Sequence, residues 1–64
     1  MSDYQIATVK WQVATYKGEE TINCLPDEEN EYIIAKAKRL VRRKMGGSLP
    51  FGYEHWIVSD RRYV

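Results

Sequence analysis

The chain is expected to be an α+β domain of ββαβ order, a three-stranded antiparallel sheet (order 2-1-3) covered on one face by a single helix. Three observations lead there. Two stretches alternate apolar and polar residues with the period of a half-buried strand, Tyr4 to Tyr16 and Tyr53 to Val64. Between them, Asp27 to Gly47 repeats its apolar residues at helical spacing. Sixty-four residues make one domain, 1–64, with one core. A chain this short retains only ~3–5 kcal/mol of net stability.

In the first strand Ala7, Val9, Trp11 and Val13 share one parity, with Thr8, Lys10 and Gln12 on the other. A two-residue turn at Lys17-Gly18 would return the chain along Glu19 to Leu25, pairing Val13 with Ile22 and Trp11 with Cys24. Pro26 ends that strand and Asp27 is a suitable N-cap for the helix. Along the helix Ile33, Ala37, Leu40 and Val41 cluster, flanked by Ile34 and Met45, and Gly46 stands at the stop position. Phe51, in the loop that follows, is expected to cap one end of the core. The third strand pairs antiparallel with the first, and Ser59-Asp60 leaves a short terminal hairpin open as an alternative.

Composition narrows the class. With 44% apolar and 30% charged residues the chain is too apolar to be disordered. A lone cysteine, Cys24, makes neither a disulfide nor a zinc site. It is expected inward, beside Trp11, as an inert apolar residue. No leader and no long apolar run is recognised, so a cytoplasmic protein without membrane contact is expected. His55 is the single histidine, and Glu54 next to it points to the opposite face of a strand. No catalytic, cofactor or metal site is therefore expected, and the chain reads as non-enzymatic. The acids Asp27, Glu28, Glu29 and Glu31 suit the positive end of a helix better than a metal, because successive helical carboxylates splay apart.

The basic run is the feature that stability alone does not explain. Six of the ten basic residues, Lys36, Lys38, Arg39, Arg42, Arg43 and Lys44, lie in the helix. The pairs Arg39/Arg43 and Lys38/Arg42 are like charges one turn apart, each unfavourable by about 0.2–0.5 kcal/mol. A bound anionic surface would relieve that repulsion. Tyr32, Lys36, Lys38, Arg39, Arg42 and Arg43 are thus the first candidate binding surface. Tyr4, Ile6, Tyr16, Tyr53, Ile57 and Tyr63 share the strand parity opposite the core and form a second.

The layout of hairpin, helix and strand resembles that of several small phage-encoded inhibitors of host enzymes and defence complexes. The resemblance covers the element order only; with the charge pattern it fits an expected regulator whose basic helix face and exposed sheet tyrosines bind an acidic surface of a larger host protein or nucleoprotein complex. The alternative is direct binding of single-stranded RNA or DNA, with the basic residues on phosphates and tyrosines stacking on bases. A homodimer that hides the tyrosine face is compatible with either reading.

Overall fold

The computed structural model describes residues 3–64. Strands β1 (Gln5–Val13) and β2 (Tyr16–Cys24), helix α1 (Asn30–Lys44) and strand β3 (Glu54–Tyr63) follow in that order. The sheet is antiparallel throughout, in order β2-β1-β3, so the first strand is central and the helix covers one face.

The hairpin turns at Ala14-Thr15 rather than at Lys17-Gly18. Its closing pair is Val13 with Tyr16, and Ala7 faces Ile22 while Gln5 faces Cys24. Ala14 takes φ 53°, and it is the only non-glycine residue with positive φ among those described. A positive φ at the first central residue is shared by the primed turns, whose twist suits a two-residue hairpin. The expected register was displaced by six residues along β2. Because six is even, every side chain from Glu19 to Cys24 kept its face, whereas Tyr16, now past the turn, did not. Ala7, Val9, Val13, Ile22 and Cys24 are accordingly all buried on the helix side, with Ile33, Ala37 and Val41 of α1 closing over them. Cys24 is buried, but next to Gln5 and not next to Trp11.

The displacement gives Gly18 a different task. It pairs with Trp11, and a Cβ built there would lie 2.7 Å from Trp11 Cζ2. The indole lies flat over the glycine and stacks on Trp56 from the opposite neighbour, ring centroids 5.8 Å apart and 23° between planes. Lys38 places its ammonium 5.7 Å from the Trp56 ring, within cation–π range. Gly18→Ala is expected to destabilise the fold by about 1–3 kcal/mol, because the Trp11 ring must move off its partner. A lowered urea midpoint with a shift in tryptophan emission would register it.

The helix begins three residues later than the sequence suggests. Leu25 to Glu28 form a turn, Glu28 N–H donating to the Leu25 carbonyl at 3.0 Å, and Glu29 occupies the N-cap position without a side-chain cap. Asp27 is in that turn and caps nothing; of the four acids only Glu31 lies in the first helical turn. The C-terminus closes as a Schellman motif: Gly47 N–H donates to the Arg42 carbonyl at 2.9 Å and Gly46 N–H to that of Arg43 at 3.2 Å. Gly46 provides the required positive φ of 86°. Phe51 does not cap the core, since its side chain is fully exposed on the loop before β3.

β3 runs unbroken to Tyr63, without a terminal hairpin, and it carries a bulge. Val9 faces Val58 while Thr8 faces Asp60, so Ser59 is the extra residue. An inserted residue reverses the alternation beyond it. Trp56 and Val58 point to the helix side, and past the bulge so does Arg61, paired with Ala7.

Candidate functional site

Arg61 is the residue on which the β2–α1 connection is assembled. Its Nε donates to Gln5 Oε1 at 3.0 Å, and Nη1 to the Glu28 carbonyl at 2.8 Å and Asn30 Oδ1 at 3.1 Å. Nη2 donates to the carbonyls of Leu25 at 3.0 Å and Pro26 at 3.4 Å, with Cys24 Sγ at 3.8 Å. The planar guanidinium thus orients the turn that launches the helix. Nothing in the spacing of the sequence marked Arg61, because without the bulge it would face solvent.

Glu28 ties the same turn to the helix. Its Oε1 accepts from Leu25 N–H at 3.1 Å and its Oε2 from Lys36 Nζ at 2.9 Å. The Lys36 hydrogen bond first, and the Leu25 N–H after it, hold the Glu28 carboxyl below its ordinary value of 4.5. A depressed carboxylate stabilises the fold above its unfolded pKa, and that contribution is lost as pH falls through the folded value. Stability is therefore expected to decline as pH drops below 4.5. Glu28→Gln should remove that part of the decline in urea titrations at successive pH values.

The six basic residues of the helix separate into two classes. Lys36 is paired with Glu28 and lies 4.8 Å from the Tyr32 ring; Lys44 is paired with Glu20 of β2 at 2.8 Å; Lys38 sits over Trp56. Arg39, Arg42 and Arg43 are exposed, and among the described residues none has a carboxylate within ion-pair distance. Tyr32, Lys36, Arg39 and Arg43 fall on the β2 side of the helix, and Lys38 and Arg42 towards β3. Between α1 and β2 runs a groove of about 470 Å³, lined by Thr21, Ile22, Asn23, Lys36, Arg39 and Leu40. Its floor is apolar at Ile22 and Leu40, and its helix rim is cationic.

The second candidate surface does not assemble. The turn at Ala14-Thr15 puts Tyr16 opposite Val13, on the helix side, and the bulge at Ser59 brings Tyr63 opposite Gln5, again on the helix side. These two pairs close opposite ends of β1, about 27 Å apart at the usual strand rise. Ile6, Ile57 and Tyr53 remain on the outer face, where the Tyr53 ring stacks on His55 at 6.4 Å. Tyr4 precedes β1 by one residue, at the end away from Tyr53, and its carbonyl accepts from Val64 N–H at 3.5 Å. The outer face otherwise carries Thr8, Lys10, Gln12, Thr21 and Asn23, so its two isoleucines stand among polar neighbours.

Among the described residues no group of three or more histidine, cysteine or acidic side chains is placed to hold a metal ion. Among the same residues no helix is long and apolar enough to cross a membrane. No protein family matches the chain, and no curated protein or solved structure is significantly similar to it.

Proposed function

We propose that this chain is a non-catalytic binding module that docks on an acidic surface of a larger protein through the β2 side of α1. Arg39 and Arg43 are the charged anchors, with Tyr32 and Lys36 beside them and Arg42 at the margin. One observation carries the reading. The lysines of the helix have partners within the fold, whereas the arginines, whose forked guanidinium suits carboxylates, have no carboxylate partner among the described residues. An acidic partner would neutralise the Arg39/Arg43 repulsion that the free protein sustains. Such a module acts by occupancy, covering a surface of its partner, which is how a small regulator or inhibitor works.

Direct binding of single-stranded nucleic acid would need stacking rings next to the basic residues. Tyr32 is the one tyrosine beside the basic residues, and the four others are divided between two faces and two ends of the sheet, which favours the protein partner. Titration of labelled single- and double-stranded oligonucleotides at two salt concentrations separates the readings. No salt-sensitive binding is expected at micromolar protein. A steep salt slope would replace the acidic protein with nucleic acid.

A further inference from the structure

Both edges of the sheet are unpaired, but they are not equivalent. β3 is blunted by the Ser59 bulge and by the charges of Glu54, Asp60 and Arg62, two of the features that keep an edge from accepting another strand. β2 pairs with β1 over nine residues without a register shift. Its charges are confined to its first half, at Lys17, Glu19 and Glu20, and Glu20 is neutralised by Lys44. The second half, Thr21 to Cys24, is uncharged and borders the groove under Lys36, Arg39 and Leu40.

We infer that the Thr21–Cys24 half of the β2 edge accepts an extended acidic segment of the partner as a fourth strand. Main-chain hydrogen bonds run to β2, and alternate side chains enter the groove. This inference rests on the acidic-partner reading above and names the form the partner takes. A strand added there points every second side chain to the helix side. Carboxylates in those positions meet Arg39 and the remaining donors of Lys36, and an apolar side chain meets Leu40 and Ile22. A segment whose successive helix-side residues are acidic and β-branched in turn, with polar residues between them on the outer face, satisfies both.

A second copy of the chain fits less well. Antiparallel pairing of two β2 edges about a two-fold axis sets both helices on one side of the joined sheet. Lys36 and Arg39 of each copy would then face their counterparts, setting two unpaired Arg39 side chains against each other across the joint.

The probe is a capped, fluorescein-labelled heptapeptide in which threonines alternate with glutamate, valine and glutamate, so that these three share one face, followed by fluorescence anisotropy. Two further versions carry N-methyl groups on one or the other set of alternate backbone amides. Strand addition requires one set to face β2, so one version should bind about tenfold more weakly and the other like the parent. Arg39→Glu should also weaken the parent peptide about tenfold at low salt. If both methylated versions bind like the parent, strand addition is overturned while the acidic-partner reading stands. If no peptide binds at about 1 mM, the inference is overturned. Concentration-dependent dimerisation in sedimentation, with amide protection appearing at Thr21 to Cys24 without peptide, overturns it in favour of a second copy.

Discussion

Replacing Arg61 with alanine is expected to cost about 2–3 kcal/mol, a large share of the ~3–5 kcal/mol available to a chain of this size. The side chain donates to the carbonyls of Leu25, Pro26 and Glu28 and to the side chains of Gln5 and Asn30. No other group in the β2–α1 connection could take those bonds over. Water would satisfy the exposed carbonyls, which is why the expected cost is below the sum of the individual bonds. Arg61→Lys should recover only a minor part, since an ammonium cannot reach both sides of the turn with a fixed fork. Urea denaturation followed by circular dichroism measures both variants. A loss under about 0.5 kcal/mol for Arg61→Ala would show that the turn holds its shape without the guanidinium.

Arg39→Glu is expected to move stability and binding in opposite directions. It exchanges a like-charge pair with Arg43 for a favourable one, carboxylate N-terminal to arginine, a swing of about 0.4–1 kcal/mol towards the folded state. The same change reverses a charge at the rim of the groove, and binding to an acidic partner should fall at least about tenfold. A residue kept at the expense of helix stability is the expected signature of a binding face. A variant that bound normally and was also more stable would leave Arg39 without a role in docking.

The limits of the sequence are instructive at particular residues. Element order and the buried set Ala7, Val9, Val13, Ile22, Ile33, Ala37 and Val41 were legible because alternation and helical period assign faces independently of register. The six-residue displacement of the hairpin left those assignments intact, as any even slip does. The single residue inserted at Ser59 did not, and it moved Arg61 and Tyr63 to the other face. A bulge has no fixed composition, so alternation alone cannot reveal it. Likewise the basic run was visible as charge, but its division into partnered lysines and unpartnered arginines was not. Lys36 meets Glu28 only because the helix starts at Asn30 and leaves Glu28 in the preceding turn, and Lys44 meets Glu20 only in the observed packing of α1 against β2.

The most direct test of the binding face is quantitative capture from a native lysate, comparing the wild-type chain with the Arg39→Glu/Arg43→Glu double variant. Lys10→Glu/Lys17→Glu on the outer sheet face serves as a charge-matched control. The expected result is a discrete set of acidic proteins retained by the wild type and by the control and lost by the double variant. An identical set on all three would contradict the account and remove α1 from the interface.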